Sequence, residues 1–206
     1  MDRRGRLVVI AAPSGAGKTT LVKALLSRNP QFVFSISYTT RQQRPGERDG
    51  VDYRFVDKGR FFELRDAGAM LEWAEVFDNY YGTARTDVDA ELSKGHHVVL
   101  EIDWQGARQV RAAIPESRSI FILPPSVASL RERLVARRTD DAAVIERRLR
   151  DSLSDLSHWD EFDYVVVNDD LDTAVAELEG IALGRLRRNR VGTAKTAALV
   201  DKITRN

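Results

Sequence analysis

Leu7-Val8-Val9-Ile10-Ala11-Ala12-Pro13-Ser14-Gly15-Ala16-Gly17-Lys18-Thr19-Thr20 decides the fold. Its apolar head, Leu7–Ala11, reads as a strand buried on both faces. Pro13, Gly15 and Gly17 then break the chain, and a helical pattern opens at Lys18. A glycine-rich turn between a strand and a helix N-terminus is a cradle for polyphosphate. Glycines let backbone N–H groups converge on its oxygens, and the helix end adds partial positive charge. In such a loop Lys18 reaches the β/γ-phosphates and the Thr19 hydroxyl ligates Mg²⁺. The pattern G-x-x-x-x-G-K-[ST] is met at Gly17, Lys18 and Thr19, with Gly15 inside it and Ala12 where the first glycine belongs. Residues Ala12, Pro13, Ser14, Gly15, Ala16, Gly17, Lys18, Thr19 and Thr20 are therefore the expected nucleotide-binding segment.

Outward from this loop, further apolar runs read as strands at Phe34–Ser37, Val98–Ile102, Ser119–Leu123 and Tyr164–Val167. Helical patterns separate most of them, at Lys18–Ser27, Asp87–Lys94, Gly106–Ala113, Val127–Arg137 and Ala142–Leu156, with a long terminal helix over Leu171–Arg188. Pro124-Pro125-Ser126 ends a strand and caps the helix after it. Strands alternating with helices predict an α/β fold: a doubly wound parallel sheet with ligands at the carboxyl ends of its strands. The stretch from about 38 to 86 breaks the rhythm with aromatics and turns (Tyr53, Phe55, Phe61, Phe62, Trp73, Phe77, Tyr80, Tyr81), and reads as a small mixed β/α insertion. A single domain is expected: core 1–37 and 87–190, insertion about 38–86, a mobile lid about 133–148 around Arg138-Thr139-Asp140-Asp141, and a polar tail 191–206 with room for a short helix.

Composition narrows the classes. Lys+Arg 32 against Asp+Glu 31 leaves no global field to favour nucleic acid or a membrane surface. Zero cysteines exclude disulfides and thiolate metal sites, which fits a reducing compartment. The N-terminus runs straight into the first strand, without the apolar length of a signal peptide, and no run approaches the roughly 18 apolar residues of a membrane span. A cytoplasmic location is expected. Nothing in the sequence selects between a monomer and a homo-oligomer.

A second cluster lies in the insertion. Thr39-Thr40-Arg41-Gln42-Gln43-Arg44-Pro45-Gly46-Glu47 sets Arg41 and Arg44 beside a Pro-Gly turn. Guanidinium forks match phosphate oxygens bidentately, and Tyr53 and Tyr81 can add phenolic donors; a solvated charged loop is the plain alternative. Glu72, in Leu71-Glu72-Trp73-Ala74-Glu75-Val76, stands in an apolar, aromatic setting where an unpaired carboxylate is costly. A purine with adjacent ring N–H and exocyclic amine donors would repay that cost. Guanine has that edge, with Thr83 and Ser37 hydroxyls placed for O6 and N7; a surface position on an amphipathic helix is the rival reading. Glu101 and Asp103, at the carboxyl end of the Val98–Leu100 run, alternate to one side of the sheet, where Mg²⁺ and its waters are held beside a phosphate loop. Arg133, Arg137 and Arg148 flank the expected cover, a sensible arginine set for neutralising charge in phosphoryl transfer.

With these residues assembled, the chain resembles the guanylate kinases over nearly its whole length. The matching segments are 12–20, Ser-Tyr-Thr-Thr-Arg (37–41), Arg-Pro-Gly-Glu (44–47), Gly-Val-Asp-Tyr (50–53), Leu-Glu-Trp-Ala-Glu-Val (71–76), Asn-Tyr-Tyr-Gly-Thr (79–83), Ile-Asp-Trp-Gln-Gly (102–106), Ile-Phe-Ile-Leu-Pro-Pro-Ser (120–126) and Val-Asn-Asp-Asp-Leu (167–171). The resemblance implies transfer of the ATP γ-phosphoryl to GMP and dGMP, with Mg²⁺ as cofactor. It implies that Arg41, Arg44, Tyr53 and Tyr81 hold the GMP phosphate. Glu72 accepts from guanine N1 and N2 with Asp103 assisting, and Ser37 and Thr83 serve O6 and N7. Lys18 neutralises ATP phosphates, Arg133, Arg137 and Arg148 close on them, and Asn168 lies near the adenine. The chain departs from the pattern twice: Ala12 replaces the first loop glycine at the end of the strand, and Glu101 stands where an aspartate is usual, lengthening a carboxylate meant for water-mediated Mg²⁺ contacts. Two rivals are a non-catalytic module that binds phosphorylated peptides in the same cleft, and a kinase for another nucleotide or phosphoester. The intact Gly15-Ala16-Gly17-Lys18-Thr19 argues against the first, and Glu72 with Thr83 against the second.

Overall fold

The computed structural model describes residues 4–76, 78–136 and 142–205. Phe77, Arg137 and the segment Arg138-Thr139-Asp140-Asp141 lie outside them. In chain order the first elements are β1 (Leu7–Ala11), α1 (Lys18–Arg28), β2 (Phe32–Phe34), β3 (Tyr38–Thr39), β4 (Arg54–Phe55) and α2 (Lys58–Asp66). There follow β5 (Met70–Val76), β6 (Asn79–Ala84), α3 (Arg85–Ser93), β7 (His97–Glu101), α4 (Trp104–Ala113) and β8 (Arg118–Leu123). The last are α5 (Val127–Ala136), α6 (Ala142–Leu156), β9 (Tyr164–Val167), α7 (Leu171–Ala182) and α8 (Ala194–Arg205). A five-stranded sheet of order β2-β7-β1-β8-β9 is joined by a four-stranded sheet of order β4-β3-β6-β5. This is the expected α/β architecture, a parallel sheet with helices and a separate mixed sheet. Every residue of β1 is buried, as a central parallel strand requires.

By contact density the chain forms two compact units, residues 1–9 with 30–117 and residues 10–29 with 118–206, the boundary falling inside β1. In the first unit β2 pairs parallel with β7, Phe32 opposite His97 and Phe34 opposite Val99. The mixed sheet is built on the β5–β6 hairpin, whose register sets Glu72 opposite Thr83, Ala74 opposite Tyr81 and Val76 opposite Asn79. Asp78 in its turn takes the left-handed conformation (φ 64°), which aspartate tolerates. Directly opposed residues share a face of a pleated sheet, so Glu72, Thr83, Ala74 and Tyr81 line one side. The opposite side carries an aromatic cluster in which Phe61 and Phe62 of α2 pack on Tyr80.

In the second unit β8 and β9 pair parallel, Ile120 opposite Tyr164 and Leu123 opposite Val167. Helix α7 packs on α1 and β9, and α8 on α5.

Several sequence boundaries move, each for a local reason. The strand expected at Phe34–Ser37 is β2 at Phe32–Phe34; Ser35 makes one last ladder bond to Val99 O (3.0 Å) before the chain leaves for β3. Helix α4 starts at Trp104 because Asp103 caps it, accepting from Gly106 N at 2.8 Å. The helix expected over Leu171–Arg188 stops at Ala182: Gly184 is left-handed (φ 76°), and Arg185 N and Leu186 N turn back to Gly180 O at 2.8 and 2.9 Å. The polar tail contains a full amphipathic helix, α8, with Thr196, Val200 and Ile203 buried. Ile203→Ala is accordingly expected to lower stability by about 2–4 kcal/mol in urea unfolding with an unchanged slope. A loss under about 0.5 kcal/mol would show α8 to be a loose appendage. Among the described residues no helix is long and apolar enough to cross a membrane.

Candidate active site

Two constellations stand out, one in each unit. In the second unit, the fully buried Ile10 and Ala11 deliver the chain into the loop 12–17. Gly15 and Gly17 both sit at φ 87°, where an L side chain is strained, and Ala16 N closes a turn on Pro13 O at 3.2 Å. Gly17 is the N-cap of α1 and makes no side-chain cap bond to its first turn, the end of a helix whose dipole favours an anion. Lys18 opens the helix half-buried, and Thr19 and Thr20 follow exposed. The loop is braced from several directions. Asn168, buried just beyond β9, donates Nδ2 to Ala16 O at 2.8 Å, and its N donates to Leu123 O at 2.8 Å. Arg133 on α5 donates to Asn168 O (3.0 Å) and Ala16 O (3.4 Å). Ser152 Oγ donates to Ser14 O at 3.1 Å. Asn168 thus stands against the loop backbone, and a Cβ on Gly17 would collide with its amide nitrogen. Arg148 lies half-buried on α6.

In the first unit, the hairpin register brings Glu72 and Thr83 face to face. The Glu72 carboxylate is 3% exposed, and Thr83 Oγ1 donates to its Oε1 at 2.5 Å. Its other oxygen rests against Gly106 in the first turn of α4, where the helix dipole favours an anion. The Asp103 carboxylate serves that same turn, Oδ1 accepting from Gly106 N and Oδ2 from Gln105 Nε2 (3.1 Å). Gln109 ties α4 to the strand: its Oε1 accepts from Trp73 N at 3.1 Å and its Nε2 donates to Trp73 O at 2.6 Å. Ser37 is buried, and its carbonyl accepts from Arg54 N at 2.9 Å.

The second half of this unit's site is aromatic and cationic. The Arg41 guanidinium lies over the Tyr53 ring at 5.3 Å, and Tyr53 meets Tyr81 edge-on at 6.0 Å. Arg41 forks onto Glu47, Nη2 to Oε1 at 2.7 Å and Nη1 to Oε2 at 3.1 Å, while Nη1 also reaches Gln42 O at 2.7 Å. Glu47 Oε2 additionally accepts from Arg44 N at 2.8 Å, so one carboxylate organises both arginines of the turn. Donating to the Glu47 carboxylate raises the Arg41 pKa, and accepting from Arg41 lowers that of the Glu47 carboxyl. Burial pushes the Tyr53 phenol up, with the Glu101 charge next in weight. Glu101 therefore lies within electrostatic reach of this cluster. The Arg44 side chain is exposed.

The structure thus gathers Glu72, Thr83 and Asp103 at one point, Arg41, Tyr53 and Tyr81 at another, and Lys18, Arg133 and Asn168 around the glycine loop. Arg137 falls outside the described residues. Glu47, Gly106 and Gln109 received no role from the sequence although they hold these groups in place. Only Glu47 carried a signal: an acid three residues after Arg44 across a Pro-Gly turn is placed to receive that residue's N–H. Among the described residues no group of three or more His, Cys, Asp and Glu is placed to hold a metal ion.

Known proteins resemble this chain in sequence and fold. The family model described as guanylate kinase matches residues 4–183. Guanylate kinase of Vibrio cholerae is 48% identical over 202 residues, covering 97% of this chain and 98% of its own length. That of Hahella chejuensis is 54% identical over 178 residues, 86% of each chain. The crystal structure of guanylate kinase from Anaplasma phagocytophilum superposes with a TM-score of 0.74 at 32% identity, covering 97% of this chain and 95% of that one. On family match, identity and coverage, the chain belongs to the guanylate kinase family and is a kinase.

Proposed function

We propose that the chain transfers the γ-phosphoryl group of ATP to GMP, and to dGMP, giving the corresponding diphosphate. The observation that carries the acceptor assignment is the buried Glu72 carboxylate paired across the hairpin with Thr83. An ionised carboxylate offers only acceptors, and guanine presents two adjacent donors, N1–H and the N2 amine, where adenine does not. On binding, the Thr83 hydroxyl turns from Oε1 toward the base and, with Ser37, donates to O6 and N7. Asp103 assists at N2. Arg41, Arg44, Tyr53 and Tyr81 hold the GMP phosphate, whose bidentate fit to Arg41 resembles that of the Glu47 carboxylate already there.

On the donor side, the N–H groups of 15–20 and Lys18 cradle the ATP phosphates, with Asn168 near the adenine. Arg133 and Arg148 would close on them, as the insertion 38–86 would close over GMP. Such closure aligns donor with acceptor and excludes water. The donor set suits Mg²⁺ carried in by the nucleotide, since that ion keeps its waters and binds mainly through phosphates. Thr19 would hold it directly and Glu101 through water, and it would neutralise developing phosphate charge. The nucleophile is a GMP phosphate oxygen, whose second ionisation near pH 6 leaves it anionic at neutral pH, so no general base is assigned. The histidines fit that view: His96 bonds Glu91, His158 bonds Glu161, and His97 Nδ1 accepts from Arg6 N. We place the activity in the cytoplasm, where both substrates are available.

A coupled assay with Mg-ATP and GMP, dGMP, AMP, UMP or CMP tests this reading. Turnover of GMP at least about 10²-fold above AMP in kcat/KM is expected from the unpaired groups a wrong base leaves. Preference for AMP would defeat the base assignment, and no turnover with any acceptor would point to a binding module.

A further inference from the structure

We propose that Gly106 is a positioning residue that sets base specificity, by leaving the space in which the Glu72 carboxylate stands against the first turn of α4. The inference rests on the guanine reading above. Gly106 is the buried third residue of α4, in ordinary helical backbone rather than the left-handed region. Nothing in its backbone calls for glycine there, and alanine is the better helix former. Space does call for it. A Cβ on Gly106 would collide with Glu72 Oε2 and lie 3.1 Å from Glu72 Cδ and 3.3 Å from Asp103 Oδ1.

Neither side of this contact can retreat without breaking bonds. Glu72 is fixed in β5 opposite Thr83, whose hydroxyl holds Oε1 at 2.5 Å before GMP binds. The strand is fastened to α4 next door by both hydrogen bonds between Gln109 and the Trp73 backbone. Gly106 itself is pinned by its N–H to Asp103 Oδ1 at 2.8 Å. The carboxylate must therefore swing away when a methyl group enters. It would lose the favourable field of the helix end and the orientation in which two acceptors face two donors.

The test is a cycle of four proteins: wild type, Gly106→Ala, Glu72→Ala and the double variant, with kcat and KM measured for GMP and ATP. Gly106→Ala is expected to cut kcat/KM for GMP by about 10²-fold, the scale of an ångström of misplacement, with KM for ATP within about twofold. In the Glu72→Ala background, where no carboxylate remains to displace, it should change kcat/KM by less than about twofold. The same loss in both backgrounds, or no loss in either, overturns the proposal. If Gly106→Ala alone fails to fold, folding of the double variant supports the conflict with Glu72, and failure of both overturns it. A wild-type chain that does not phosphorylate GMP would defeat the functional reading itself, a result visible before any variant is made.

Discussion

Glu72→Gln should cost about 10³-fold in kcat/KM for GMP while leaving KM for ATP within about twofold, because a buried site that presents the wrong hydrogen-bonding group rejects its ligand strongly. The substitution keeps size and shape, and the amide oxygen can still accept from Thr83, now at 2.5 Å from Oε1. In the proposed complex the other position becomes an NH₂ facing a guanine donor. Two donors meet, each desolvated in a pocket where the native side chain is 3% exposed. A neutral side chain is cheaper to bury than a carboxylate, so the melting temperature should hold or rise. Steady-state kinetics with each substrate varied in turn, beside a thermal melt, separates these effects. Equal losses for both nucleotides with a lowered melt would mean that Glu72 serves the fold rather than the base.

The complementary result is expected on the donor side. Lys18→Ala should lower kcat by about 10³-fold, the range seen when a preorganised charge is removed from a transition state. Lys18 begins α1 directly after a loop braced by Asn168, Arg133 and Ser152, and none of those contacts involves its side chain. The scaffold should survive, so GMP binding measured by equilibrium titration is expected to stay unchanged. A fall in kcat smaller than about tenfold would remove Lys18 from the chemistry.

Much of this was readable in the residues because the decisive patterns are local. Leu7–Ala11 followed by two glycines and Lys18 determines strand, loop and helix within a single stretch, and that stretch folds as read. The Glu72 motif was legible as an oddity, a carboxylate among aromatics. Its setting was not: the rival reading was a helix, and only the hairpin register reveals that Glu72 and Thr83 are partners. The terminal helix reads too long because Leu183 and Leu186 among the arginines of 183–188 fit a helical pattern, while the stop depends on Gly184 adopting a left-handed conformation. Gly106 and Gln109 were silent for a common reason. Each acts through a contact that chain spacing does not specify: a missing methyl group and a carboxamide laid along a strand.

That carboxamide has an effect beyond the site. β5 is the outermost strand of its sheet, and such a strand is a template on which another chain can pair. At Trp73 the outward N–H and C=O are both taken by Gln109, which behaves as one residue of an added strand supplied from within the same chain. Gln109 thus occupies the sheet edge at that point, so the contact that ties α4 to β5 beside Glu72 also blocks intermolecular pairing at Trp73.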